Sequence, residues 1–188
     1  MKKISLLLLL LHCFILGISQ GKQHSKNAQL ASCYYENNVV DLGVGMAMWN
    51  YDCDKNIIIF SDSLLKNEVY NFNICNSAIN EVCPFFYKPD YGIYHFVVTR
   101  LSGEWYEILY NNDKKGYIQA NLLFKFVYWD TLLKDYSTGI RNKGQKTIYS
   151  VKDVSGDTIS VVERANGIVK TIRWKNKNQL LIEIALLE

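Results

Sequence analysis

Alternation of apolar and polar positions organises the middle of the chain. Trp105–Asn111 puts Trp105, Glu107 and Leu109 on one face of an extended strand and Tyr106, Ile108 and Tyr110 on the other. Tyr94–Arg100 precedes it and Lys115–Ala120 follows. Turn-forming Ser102-Gly103 and Asn111-Asn112-Asp113 separate the three. Upstream, Asn56-Ile57-Ile58-Ile59-Phe60 is a β-branched run that predicts a buried strand, and Glu68 to Ile74 alternates in the same sense. Val39 to Trp49 mixes apolar residues with Gly43 and Gly45 and predicts an irregular strand entering the fold. Downstream, Thr147–Val151, Thr158–Glu163, Val169–Trp174 and Leu180–Leu186 predict four more strands. The Asn166-Gly167 pair between two of them is a hairpin signal, because both residues tolerate positive φ. One segment changes period: Trp129, Leu132, Leu133 and Tyr136 recur at i, i+3, i+4, i+7, the mark of a short amphipathic helix. Polar, glycine-containing Ser137 to Gln145 is the best internal boundary.

Short strands at close intervals with one helix predict an all-β fold. Composition agrees: 49% hydrophobic and 13% aromatic residues with two prolines favour a packed β-rich chain over disorder. The N-terminus changes the compartment. Lys2 and Lys3 precede an apolar run from Ile4 to Ile18, and Gly17-Ile18-Ser19 supplies small residues for cleavage near Ser19. The run is shorter than the roughly 20 residues of a spanning helix. It therefore predicts a signal peptide over residues 1–19 and an exported, periplasmic or extracellular protein. Loss of Lys2 and Lys3 lowers the formal net charge from +3 to +1, which gives no electrostatic reason to propose nucleic acid as a partner.

Five cysteines fit export. Cys13 leaves with the signal, and Cys33, Cys53, Cys75 and Cys83 predict two disulfides with three pairings open. Cys33–Cys53 with Cys75–Cys83 is favoured, because both close short loops. No pair has zinc-ligand spacing, so no metal and no cofactor is expected. Asp52-x-Asp54-x-Asn56 begins like a calcium loop, but Ile57 stands where glycine is needed and Ser63 where glutamate is needed. Catalysis is disfavoured by counting. Of three histidines only His95 lies within the expected fold, on an apolar strand without an orienting partner. Glu104 and Glu107 sit three apart on a strand and face opposite sides.

What remains is an aromatic concentration. Trp105, Tyr94 and Tyr117 are expected to line a groove with Glu107 and Lys115 on its rim, suited to a peptide or glycan. The plain alternative is that these rings are core.

Gly103-Glu104-Trp105-Tyr106-Glu107-Ile108 followed by Lys115-Gly116-Tyr117-Ile118 resembles the bacterial SH3-like (SH3b) domain, which commonly carries Gly-x-Trp-Tyr-x-Val and Gly-Trp/Tyr-Val/Ile strands. The helix from Trp129 and the Ile172-Arg173-Trp174 and Leu180-Leu181-Ile182-Glu183 ending look like exported SH3-like proteins of Bacteroidetes-type bacteria. The resemblance implies a small barrel and a ligand drawn from cell-wall peptides. The expected division is a lead-in with the first strand over 20–55, an SH3-like barrel with its short helix over 56–136, and a second β unit over 137–188. The expected function is a non-catalytic binding module of the cell envelope, recognising a peptide, a glycan or an envelope protein. An inhibitor or immunity-type protein that blocks an exported enzyme is the alternative.

Overall fold

A computed structural model describes residues 41–76 and 81–186. The expected signal peptide, most of the lead-in and Cys33 lie outside the described residues. The fold is all-β with one short helix, built as two large antiparallel sheets and one two-stranded hairpin.

The first sheet comprises β1 (Gly45–Trp49), β2 (Ile57–Phe60), β3 (Glu68–Phe72), β4 (Phe86–Lys88), β5 (Ile93–Leu101), β6 (Trp105–Tyr110), β7 (Lys114–Gln119) and β8 (Phe124–Tyr128). Its order is β3-β2-β7-β6-β5-β1-β8, with β4 added to one end of β5. The β6–β7 turn places Asn111 and Asn112 at φ +50° and +73°, the conformation that asparagine tolerates best after glycine. β1 is no irregular entry strand. It lies between β5 and β8, and its small Gly45 and Ala47 let the sheet curl. Tyr106 on β6 meets Phe126 on β8 with ring centroids 5.8 Å apart, although β5 and β1 intervene in the sheet. Gly43, at φ +56°, lets the chain cross β5, where a Cβ would lie 2.1 Å from the Val98 carbonyl oxygen. Among the described residues the path runs from β3 to β8 as a curled sheet, with no ladder joining its two ends.

Inside the curl lie Ala47, Trp49, Ile57, Ile59, Phe72, Tyr94, Phe96, Val98, Ile108, Ile118 and Phe124. Gly116 on β7 makes room for Ile59, whose Cγ2 would be 2.6 Å from a Cβ there.

The chain then enters α1 (Trp129–Thr131), which widens into a π-type turn over Leu132–Tyr136. Ser137 N–H donates to Leu132 O at 2.9 Å, closing that turn. Trp129, Leu132 and Leu133 are buried, as their spacing predicts.

The second sheet has β9 (Gly139–Asn142), β10 (Tyr149–Ser155), β11 (Thr158–Glu163), β12 (Val169–Arg173) and β15 (Ile182–Ala185), in the order β12-β11-β10-β9-β15. A two-residue hairpin, β13 (Lys175–Asn176) with β14 (Gln179–Leu180), connects β12 to β15. The segment read as the internal boundary, Ser137 to Gln145, contains the first strand of the second sheet, β9, an inner strand anchored by buried Ile140. One expectation is corrected. Leu180–Leu186 is not one strand, because Leu181 N–H leaves the ladder to bond Trp174 O at 2.8 Å.

One cluster joins the two sheets. Met46, Val97, Leu109 and Val127 from the outer face of the first sheet meet Trp129, Leu132 and Leu133 of the helical segment and Ile140, Tyr149, Ile159, Val161, Trp174 and Ile182 of the second sheet.

The favoured disulfide pairing is overturned. Cys53 is bonded to Cys75, and Cys83 is itself disulfide-bonded. The β2–β3 hairpin explains the first bond. Its register pairs Ile57 with Phe72, so the residues just before β2 and just after β3 meet at its open end. Asn73 Nδ2 reinforces that end with a bond to Cys53 O at 2.7 Å.

Candidate functional site

The outer face of β6 divides at Glu107. Leu109 is covered by the inter-sheet cluster, whereas Trp105 lies beyond that cover and is half-buried. Across the ladder, Trp105 pairs with Gln119, Glu107 with Tyr117 and Leu109 with Lys115, so these side chains share one face.

On the other side, the register of β5 shifts between Val98 and Arg100, placing two residues opposite Glu107. Such a bulge re-aims side chains. Here it brings both Thr99 and Arg100 to one carboxylate. Thr99 Oγ1 donates to Glu107 Oε1 at 2.6 Å, Lys115 Nζ to the same oxygen at 3.0 Å, and Tyr117 Oη to Oε2 at 3.0 Å. Arg100 Nη1 stands 3.9 Å from Oε2.

Glu107 is 3% exposed. Burial alone pushes its carboxyl pKa up, but the hydrogen bonds from Thr99, Lys115 and Tyr117 and the Lys115 charge outweigh it, so the pKa lies below the ordinary value. The same bond to Glu107, with burial, raises the Tyr117 phenol.

Around this carboxylate the surface groups converge. The Trp105 and Tyr117 rings meet edge to face with centroids 5.3 Å apart, and the Arg100 guanidinium carbon lies 5.9 Å from the Trp105 ring centre. The Arg100 and Lys115 side chains are 69% and 59% exposed. The result is a shelf of two rings flanked by two cations. A carboxylate with a lowered pKa and both oxygens occupied is poorly placed to take a proton.

Four of the five expected binding residues, Trp105, Tyr117, Glu107 and Lys115, are therefore neighbours. Tyr94 is not. It lies inside the curl, 2% exposed, with its hydroxyl donating to Val82 O at 2.8 Å. It belongs to the same strand face as Phe96 and Val98, opposite to that of Val97, which joins the Leu109 side. The groove written with Tyr94 in it is thus corrected to a shelf without it. Arg100 and Thr99 escaped sequence reasoning, since a bulge leaves no mark in the alternation.

His95 is 4% exposed, and its Nδ1 accepts the Trp49 backbone N–H at 3.1 Å. Burial lowers its pKa to about 4, so the ring is neutral. Among the described residues no group of three or more His, Cys, Asp or Glu side chains gathers as a metal site. Asp52-x-Asp54-x-Asn56 is a surface turn in which Asp52 accepts the Asp54 N–H and pairs with Lys55. The chain matches no family model, no curated protein and no solved structure.

Proposed function

We propose that this protein is an exported, non-catalytic binding module of the bacterial cell envelope whose ligand surface is the Trp105–Tyr117 shelf. One observation carries the reading. Glu107 is a buried carboxylate on an outward strand face, and the groups that satisfy it fix Tyr117, Lys115 and Arg100 beside Trp105. Rigid amphipathic rings contribute contact area at small entropic cost, which suits recognition. With the only carboxylate of the cluster already engaged, the two exposed cations favour a ligand that carries its own carboxylate beside an apolar or ring-shaped body. Cell-wall peptides have that character, and the SH3b resemblance points to the same class. Export rests on the N-terminal signal pattern and on the Cys53–Cys75 bond, which is stable in an oxidising compartment. Among the described residues no helix is long and apolar enough to cross a membrane.

The test is retention of the processed protein on purified peptidoglycan. Trp105→Ala should remove retention while leaving the thermal transition in place. Retention that survives Trp105→Ala, or no retention by the parent protein, refutes the reading. Capture of an exported enzyme whose turnover the protein suppresses would establish the inhibitor class instead.

A further inference from the structure

A second set of rings lies apart from the shelf. A cleft of about 470 Å³ opens among Tyr51, Phe72, Tyr87, Pro89, Asp90 and Tyr94, with the Cys53–Cys75 bond in its wall. Phe72 and Tyr94 are core residues, and their rings meet edge to face at 5.9 Å and 64°. Tyr87 and Tyr94 meet at 5.6 Å and 70°.

Tyr51 is held in an unusual conformation. Its φ is +45°, a region that a bulky side chain adopts at an energetic cost. Its ring lies edge to face with Trp49 at 5.2 Å and is seated on Gly92. A Cβ at Gly92, itself at φ +69°, would lie 2.9 Å from that ring. Backbone strain at Tyr51 and a glycine beneath it keep one aromatic ring standing at the mouth of the cleft. Tyr51 as a whole stays 58% exposed in spite of these two contacts.

We propose that this cleft binds a cationic amine, an alkylammonium group such as a lysine side chain or a choline-like head. Charge decides the sign: among the described lining residues Asp90 carries the one formal charge, and aromatic faces add negative potential. Phe72 and Tyr94 are buried and form the floor of the cleft, so the rings open to a ligand there are Tyr51 and Tyr87, one at the mouth and one in the wall. The site is independent of the shelf on the opposite face of the first sheet.

The experiment is a titration of the full processed chain, followed through backbone amide NMR shifts. The probes are choline, its neutral isostere 3,3-dimethyl-1-butanol and N-acetylglucosamine. Choline should shift the amides of Tyr51, Tyr87 and Gly92 and bind about tenfold more tightly than the neutral isostere. Asp90→Asn should weaken choline binding several-fold, and Tyr51→Ala should do so as well. Asp90→Asn removes no packed group, so it tests the site even if Tyr51→Ala disturbs the loop. Equal affinity for the neutral isostere, preference for N-acetylglucosamine, or no shift at about 100 mM choline overturns the proposal.

Discussion

Acidification should weaken the fold through one residue before the carboxylates contribute. In the native state His95 is neutral with a pKa of about 4, because burial opposes its charge. In the unfolded chain it titrates near 6.5. Between these values the unfolded state binds a proton that the folded state refuses, so stability falls as pH decreases and is recovered as pH rises. The full difference corresponds to about 3 kcal/mol, of which about 2 kcal/mol is lost between pH 7 and pH 5. Glu107 works in a lower window. Its pKa is below the ordinary carboxylate value, so its contribution is lost only as pH falls further. The range from pH 7 to pH 5 therefore isolates the histidine. His95→Asn keeps an acceptor for the Trp49 N–H but cannot titrate. Urea denaturation at pH 7, 6 and 5, followed by tryptophan fluorescence, should show a sloping stability for the parent and a flatter one for the variant. At pH 7 the variant should also be less stable by about 1 kcal/mol, from ring packing lost. Parallel slopes in the two proteins would refute the claim that a neutral, buried His95 supplies the pH dependence.

Two further outcomes follow from the hairpins. Replacing Cys53 and Cys75 together with serine removes a cross-link spanning 22 residues and should cost about 3 kcal/mol in denaturant. Peptide mapping without reduction should recover the two cysteines in one linked fragment, and a Cys75–Cys83 fragment would contradict the pairing. Gly43→Ala sets a Cβ against the Val98 carbonyl and should destabilise by more than about 3 kcal/mol, whereas Gly144→Ala, also at positive φ but in open space, should cost about 1 kcal/mol. Equal melting temperatures for these two variants would refute the steric argument.

Period-2 alternation read β6 well because each of its faces is specified separately: Ile108 and Tyr110 inside, Leu109 beneath the second sheet. Turn chemistry was equally legible where φ is positive, as at Asn111, Asn112 and Gly167. Three features were not. β9 hides in a polar, glycine-containing stretch because one residue, Ile140, supplies most of its burial. Tyr94 and Trp105 are both aromatic strand residues, and only the register of β5 on β6 separates interior from shelf. The cysteine pairing is set by where the β2–β3 hairpin ends, a matter of register that short loop length does not capture. At the site, Glu107 and Tyr117 could be placed together from strand spacing. The bulge that adds Thr99 and Arg100 depends on an extra residue in β5, which alternation conceals.

The cluster that runs from Met46 through Trp129 to Ile182 is shared by the two sheets, so neither sheet covers its own apolar face alone. A chain cut after the helical segment would leave Met46, Val97, Leu109 and Val127 facing water, an oily patch on an otherwise finished sheet. Residues near the C-terminus, Trp174 and Ile182, thus insulate a surface that begins at Met46.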